Sequence, residues 1–254
     1  MKEEVKVMRI LIWLIIGLFG LMVSFCEAVD KPLVVHLSFD GKEVKDLSPN
    51  KNKAENKGAK FVDGQFETAL QFEGIGDYVE VPNNDSLNVT EEITVEAWIY
   101  VEKQPAGNAW SALVGKNPYQ VGYLMWFEDE NLMPRGLIWV SGTRYNVNSS
   151  LLFTEKKWYH TCYTVKQGQM DIYINGDLKG TTKIPKGDFG TNGNPLRVGG
   201  QGGGPGFNGI IDDVAVYSVA LTPKEIKDDM DKGVQPLAVQ PSGKLATTWG
   251  KLKD

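Results

Sequence analysis

Residues 64–98 read GQFETALQFEGIGDYVEVPNNDSLNVTEEITVEAW, and this stretch decides the fold class. Residues 69–72 and 77–82 alternate between apolar and polar side chains, and residues 93–100 are rich in β-branched and aromatic ones. Glycine, asparagine and aspartate separate the three runs. Short strands at even spacing, divided by turn residues, are typical of an all-β sandwich.

Comparable strand patterns continue on both sides of this stretch. They occupy residues 33–40, 111–116, 122–127, 136–141, 158–165, 170–174, 177–182, 196–200 and 209–217. Asn175-Gly176 predicts a tight hairpin turn, because both residues accept a positive φ. The sequence Thr222-Pro223-Lys224-Glu225 predicts a capped helix that runs to about Lys232 and ends at Gly233.

The first 28 residues have the pattern of an export signal. Lys2, Lys6 and Arg9 precede an apolar run over residues 10–23, and Ala28 offers a small residue for cleavage. We therefore expect a signal peptide over 1–28, a domain over 29–232, a tail over 233–254, and a secreted, periplasmic or cell-surface protein. The alternatives are a membrane anchor, for which about 20 apolar residues are needed, and lipidation of Cys26. After cleavage no membrane insertion is expected.

The net charge limits the partners that we expect, and the cysteine content limits the disulfides. The net charge of −5 gives no reason to expect nucleic acid or an anionic membrane as a partner. Cys162 is the one cysteine that cleavage would leave, so no internal disulfide is expected. It lies in a strand pattern and is interpreted as a small buried hydrophobe. The length of the mature chain, residues 29–254, fits one sandwich domain.

Several ordered sequence words carry a family resemblance. They are G-x-F-x-x-A-L-x-F at 64–72, D-Y-V-E-V-P at 77–82, T-V-E-A-W at 94–98, W-Y-H at 158–160, Y-I-N-G at 173–176 and G-I-I-D-D-V-A-V-Y at 209–217. Together they resemble the laminin-G-like (LamG type 3, pentraxin-like) branch of the concanavalin A-like lectin/glucanase superfamily, over residues 33–232. The resemblance implies a two-sheet antiparallel jelly-roll sandwich with one short C-terminal helix. It also implies a binding module more often than an enzyme.

Acidic residues near the first and last strands suggest a calcium site. Asp212 and Asp213 interrupt the apolar alternation of the last strand, where buried carboxylates are costly unless a cation or hydrogen-bond donors stabilise them. Asp40 ends the first strand, and oxygen ligands from several segments suit Ca²⁺. The resemblance implies a structural calcium at Asp40 and Asp212, with Asp213 in the place of a usual glutamate. Asp77, just before Tyr78, is a further candidate that offers a carbonyl or a carboxylate oxygen. The alternative is that these are strand-end or turn-capping carboxylates.

Aromatic residues in the middle of the chain suggest a sugar site. The predicted ligand-binding residues are Trp110, Tyr119, Trp126, Trp139, Arg144 and Tyr145, with Arg135, Asn146 and Asn148 close in sequence. Period-two alternation places Tyr123, Met125 and Phe127 on one face and Leu124 and Trp126 on the other, and it leaves open which face is core. Trp98 and Trp158, by contrast, are expected in the core.

The sequence thus predicts a non-catalytic module that recognises carbohydrate or a glycosylated surface. A protein-interaction or adhesion module without a sugar site is the alternative. A glycoside hydrolase-like enzyme is a third possibility, and it needs two carboxylates about 5–5.5 Å or about 6.5–9.5 Å apart. The sequence shows no E-x-D-x-x-E word, and Asp77 and Glu80 fall on opposite faces of their strand. No catalytic residue is therefore predicted.

Overall fold

The computed structural model describes residues 32–74, 76–103, 110–116, 121–128, 131–200 and 206–234, with the backbone alone at Glu128. The predicted signal peptide, Tyr119 and all of the predicted tail after Val234 lie outside these residues. Among the described residues, no helix is long and apolar enough to cross a membrane.

The described chain is mostly β-strand. The strands are β1 (Leu33–Ser38), β2 (Lys45–Asp46), β3 (Glu55–Lys57), β4 (Lys60–Asp63), β5 (Thr68–Glu73), β6 (Tyr78–Val81), β7 (Ile93–Val101), β8 (Ser111–Lys116), β9 (Tyr123–Glu128), β10 (Met133–Val140), β11 (Thr143–Asn148), β12 (Trp158–Lys166), β13 (Gln169–Ile174), β14 (Asp177–Lys183), β15 (Leu196–Val198) and β16 (Asn208–Tyr217). Helix α1 spans Pro223–Lys232, and short 3₁₀ turns cover Asp40–Lys42 and Asp85–Leu87.

These strands form two antiparallel sheets. Sheet A has the order β14-β13-β12-β7-β16-β1-β2, and β5 joins it by pairing with both β16 and β4. Sheet B has the order β11-β10-β9-β8-β15-β6-β3. Strands distant in sequence are neighbours in both sheets, as in a jelly roll. The predicted two-sheet sandwich is confirmed.

Inward side chains from both sheets share one core. Val95 and Ile99 of sheet A belong to the same buried cluster as Met125 and Phe127 of sheet B. The other side of β9 carries Leu124 and Trp126, which belong to a separate cluster. The structure therefore settles the open question about residues 122–127: Trp126 faces outward.

Two local predictions are confirmed in detail. Asn175 has φ 52° and Gly176 has φ 75°, as the hairpin between β13 and β14 requires. Thr222 caps α1, and Glu225 completes a capping box.

Helix α1 covers part of the outer surface of sheet A. Its Ile226, together with Leu221 and Val234, packs on the sheet residues Cys162 and Tyr217. Cys162 is fully buried, and burial raises the pKa of its thiol. This agrees with its interpretation as an inert, buried residue.

Candidate functional site

The outer surface of sheet B gathers a set of aromatic and cationic side chains. We call this set the tryptophan face: Trp110, Trp126, Arg135, Trp139, Arg144 and Asn146. Strand register brings most of them together, because Arg135 lies directly opposite Trp126 and Trp139 lies opposite Arg144. Leu124 and Leu137 form its buried apolar base.

Trp126 is the centre of the tryptophan face. Its ring lies 6.3 Å from that of Trp110 in an edge-to-face arrangement. The guanidinium carbons of Arg144 and Arg135 lie 5.1 Å and 5.8 Å from its ring centroid, within cation–π range. Burial and the charge of Arg144 lower the pKa of Arg135. Trp126 is 6% exposed, whereas Trp110 and Trp139 are partly exposed. The surface therefore presents two accessible indoles around a buried one.

Two indole nitrogens of this face are buried without a hydrogen bond. Nε1 of Trp126 and Nε1 of Trp139 have no partner in the part of the chain that the structure describes. Unpaired buried donors are uncommon in folded proteins. The Arg144 Nε atom donates a long 3.4 Å bond to Asn146 Oδ1. The face is thus rich in donors, and its rings offer flat apolar surfaces.

The structure separates Tyr145 from this set. Tyr145 pairs with the core residue Ile138 and packs against the core between the sheets. Its side chain is therefore on the inner side of β11, opposite to that of Arg144. Of the predicted ligand-binding residues, Trp110, Trp126, Trp139 and Arg144 come together, Tyr145 does not, and Tyr119 is outside the described residues.

A second aromatic–arginine pair lies at the other end of the same sheet surface. The Arg197 guanidinium carbon is 5.0 Å from the Tyr78 ring centroid, and its Nη2 atom donates a 2.7 Å bond to Glu80 Oε2. Glu55 lies directly opposite Glu80 in the β3–β6 pair. The sequence pattern pointed to Glu80 only as a neighbour of Asp77, and it did not indicate Arg197, Tyr78 or Glu55 as its partners, because these contacts join strands far apart in the chain.

Sheet A carries the predicted metal residues at a β-bulge. The pairing of β16 with β7 shifts between Asp212 and Ala215, and Asp213 has φ 47°. Asp212 Oδ2 accepts a 2.9 Å bond from the Phe66 N–H, and its Oδ1 accepts a 2.8 Å bond from the Asp213 N–H. Burial raises the pKa of Asp212 to about 7, and the negative charges of Asp213 and Asp40 add to this effect.

Gly64 packs closely against Asp212. A Cβ atom on Gly64 would lie 2.5 Å from Asp212 Oδ2 and 2.8 Å from the Phe66 carbonyl oxygen. The negative charge of Asp40 contributes to the raised pKa of Asp212. Asp40 Oδ1 also accepts a 3.1 Å hydrogen bond from the Thr68 N–H. Carboxylate and carbonyl oxygens that converge from several segments are the kind of ligand that suits a hard cation. Within the described ranges, however, no three or more His, Cys, Asp or Glu side chains are grouped so as to hold a metal.

Asp213 and Asp77 make other contacts. Asp213 Oδ1 lies 2.6 Å from His36 Nε2, and its Oδ2 accepts a 2.8 Å bond from the Val234 N–H. Asp213 therefore ties β16 to β1 and to the segment after α1. Asp77 Oδ2 accepts a 2.9 Å bond from the Glu73 N–H, at the turn before β6.

Trp98 and Trp158 correct one expectation. Neither is fully buried, and Trp98 lies on the outer side of β7, with its ring 5.3 Å from that of His160 and 6.3 Å from that of Phe66. Trp158 packs against Tyr100 at 5.5 Å. Their sequence positions alternate with the inward residues of their strands, so they cannot join the core between the sheets.

Comparisons with solved structures find the same fold in binding domains. The binding domain of Paraclostridial mosquitocidal protein 1 has 23% identity and a TM-score of 0.64, over 78% of this chain and 51% of that one. A structure of botulinum neurotoxin type C, whose cell entry depends on two ganglioside molecules, has 15% identity and a TM-score of 0.65, over 80% and 52%. This chain thus spans about half the length of these toxin domains.

Domain 4 of a GH43 extracellular arabinanase from Geobacillus stearothermophilus, solved with arabinotriose, matches over nearly its whole length. It has 21% identity and a TM-score of 0.60, over 78% of this chain and 98% of that one. At identities of 15–23%, the similarity to these three structures shows a shared fold and no more. No protein with curated annotation matches the sequence. The family model Laminin_G_3, of the concanavalin A-like lectin/glucanases superfamily, matches residues 72–227, which is more than half of the chain. The chain therefore belongs to this family.

Proposed function

We propose that this domain is a non-catalytic carbohydrate-binding module and that its ligand lies on the tryptophan face. One observation carries the proposal. Three tryptophans meet on the outer surface of sheet B, and the buried N–H groups of Trp126 and Trp139 have no protein acceptor among the described residues. Sugar rings present C–H surfaces that stack on indoles and oxygens that accept from N–H groups. A sugar would therefore satisfy both features at once.

The relatives support this choice of ligand. One is solved with arabinotriose, another is titled for its interaction with gangliosides, and a third, a botulinum neurotoxin DC binding domain, is solved with a sialylated sugar. The same toxin domain is also solved with rat synaptotagmin II, so this fold serves protein recognition as well. A protein ligand is the outcome that the experiment below must separate from a sugar.

The acidic residues of sheet B favour binding over hydrolysis. Glu55 and Glu80 are cross-strand neighbours, which is a spacing that a pair of catalytic carboxylates would need. Hydrogen bonds from Lys53 and Lys57, however, lower the pKa of Glu55 to about 2, and Glu80 accepts from Arg197. A glycosidase needs a carboxyl that stays protonated as the general acid, and cationic partners have the opposite effect. We therefore propose a module without catalysis.

We propose further that the protein is exported and that it holds a structural Ca²⁺. Export rests on the signal pattern of residues 1–28. The calcium would be held by Asp40 and Asp212 beside Gly64, with backbone carbonyls such as that of Phe66 as additional ligands. When bound, it would neutralise buried carboxylates and link the ends of β1 and β16.

The test is a binding titration of residues 29–254 against neutral and acidic oligosaccharides. We expect Trp110→Ala and Trp139→Ala each to weaken binding by at least about tenfold, because truncating an aromatic at the centre of an interface costs about 2 kcal/mol or more. Both residues are partly exposed, so their loss should leave the fold intact. Trp158→Ala is the matched control, since it removes a partly exposed tryptophan from sheet A.

Two results would count against the proposal. If the native domain binds no oligosaccharide, the module recognises something else, and a protein partner becomes the better interpretation. If sugar binds but Trp158→Ala weakens it as much as Trp139→Ala does, the site is not on the tryptophan face.

A further inference from the structure

The two aromatic–arginine pairs on sheet B differ in their charge balance. Arg197 is stacked on Tyr78, and its charge is neutralised by Glu80. Glu80 Oε2 accepts hydrogen bonds from both Nε and Nη2 of Arg197. Arg144, stacked on Trp126, has no carboxylate partner among the described side chains, and its Nε atom donates a 3.4 Å hydrogen bond to the neutral Asn146. The same motif thus occurs once with its counter-ion and once without.

Among the described side chains of the tryptophan face, donors also outnumber acceptors. Its described donors are the N–H groups of Trp126 and Trp139 and the guanidinium of Arg144, which has five N–H bonds. The amide oxygen of Asn146 already accepts from Arg144, which leaves its NH₂ group as one more donor. A ligand that fits this surface must bring acceptor oxygens, and an anionic group would bring the most.

From this contrast we propose that the sugar bound on the tryptophan face carries a carboxylate or a sulfate ester, and that Arg144 receives that group. The proposal rests on the proposed function and names its ligand class. Arginine suits both anions, because its planar fork matches two oxygens at once. The protein as a whole has a net charge of −5, so this preference would come from the local surface and not from general attraction.

Arg144 is placed to change its partner when a ligand arrives. Arg144 is exposed, and its hydrogen bond to Asn146 is long. Its guanidinium lies over the ring of Trp126. A swing of this side chain towards the ligand anion would uncover part of the ring of Trp126 for stacking.

Matched pairs of oligosaccharides test this directly. The probes are a galacturonic acid tetramer with its fully methyl-esterified form, and a sulfated galactose tetramer with its unsulfated form. We expect the native domain to bind the charged member of at least one pair about tenfold more tightly than the neutral one, as one charge-assisted hydrogen bond would give. The carboxylate and sulfate arms identify which anion is preferred.

Two variants then assign the preference to one residue. Arg144→Gln should bring the charged and neutral members to within about threefold of each other, because the anion contact is lost from the charged member alone. The readout is the ratio of the two affinities in the same variant. Arg197→Gln, the matched control, should keep the full preference.

Each other outcome has one meaning. Equal native binding of charged and neutral members overturns the anionic ligand while the proposed function stands. A preference that survives in Arg144→Gln overturns the role of Arg144. Absence of binding to all four probes and to the wider panel overturns the proposed function itself.

Discussion

The outer surfaces of the two sheets differ in what lies over them. On sheet A, α1 and the β4–β5 turn lie over part of the surface, and side chains beneath them bond to these or adjoining segments: Asp213 to the Val234 N–H, Asp212 to the Phe66 N–H, and Tyr217 to Asp229. Nε1 of Trp98 and Nδ1 of His160 are nevertheless buried there without a hydrogen bond among the described residues. On sheet B, Trp110 and Trp139 are partly exposed beside the buried Trp126.

Under our proposal, this difference separates a structural surface from a binding surface. Hydrogen bonds between sheet A and the segments over it stabilise the fold, whereas partly exposed indoles on sheet B are available to stack on a ligand. Changes on sheet A should therefore alter the free energy of unfolding, and changes on sheet B should alter binding. The following predictions test this division, from the largest effect to the smallest.

Asp213→Ala should give the largest loss. It leaves His36 and the Val234 N–H without their common acceptor, and breaking a buried polar pair of this kind costs about 3–5 kcal/mol. Urea unfolding in EDTA measures it without any contribution from calcium. Asp231→Ala, on the exposed side of α1, is the control and should change stability by less than about 0.5 kcal/mol. Similar losses in both variants would show that Asp213 does not anchor the cover of sheet A.

The buried His160 on sheet A should make the free energy of unfolding depend on pH. Burial lowers the pKa of His160 from 6.5 to about 4, an effect that the charge of Asp213 partly opposes. The unfolded chain therefore takes up a proton near pH 6.5 and the folded one only near pH 4, so stability is lost as the pH falls through this window. The loss is about 3 kcal/mol at most.

The measurement is the unfolding free energy at several pH values between 4 and 7, for the native protein and for His160→Gln. Carboxylates that also titrate in this range contribute to both proteins, so the difference between the two slopes isolates His160. Parallel slopes would mean that the buried imidazole is not held neutral.

Calcium would reinforce the surface of sheet A. At a free calcium concentration about 100 times its Kd, we expect the unfolding free energy to rise by about 2.7 kcal/mol. Asp40→Asn should remove the effect, because it removes one of the two carboxylate ligands, and Asp231→Asn should keep it. No change between calcium and EDTA in the native protein would mean that hydrogen bonds alone stabilise Asp212.

The fold was predictable because its signals are local. Alternation over residues 69–100, Asn175-Gly176 and the cap at Thr222 each act within a few residues. The site was only partly predictable. Alternation shows that Leu124 and Trp126 share a face, but whether that face is inside depends on which sheet packs against it. For the same reason Trp98 was expected in the core and lies outside it.

Contacts between strands that are distant in the chain could not be predicted from the sequence. The proximity of Glu55 to Glu80 depends on the β3–β6 pairing, and the Arg197–Glu80 bond joins residues 117 positions apart. No local pattern encodes either contact. Arg135 was noted only as a sequence neighbour of the aromatics, and its position over Trp126 comes from the register of β9 and β10.

The most direct test of the central claim is to follow the indole N–H signals of the ¹⁵N-labelled domain by NMR, while the tightest-binding oligosaccharide of the panel is added. Trp98, on sheet A, is the internal control, because its Nε1 is also buried without a partner among the described residues. Our account predicts that the signals of Trp126 and Trp139 shift on binding and that the signal of Trp98 does not. Shifts at Trp98 or Trp158, with Trp126 and Trp139 unchanged, would contradict it.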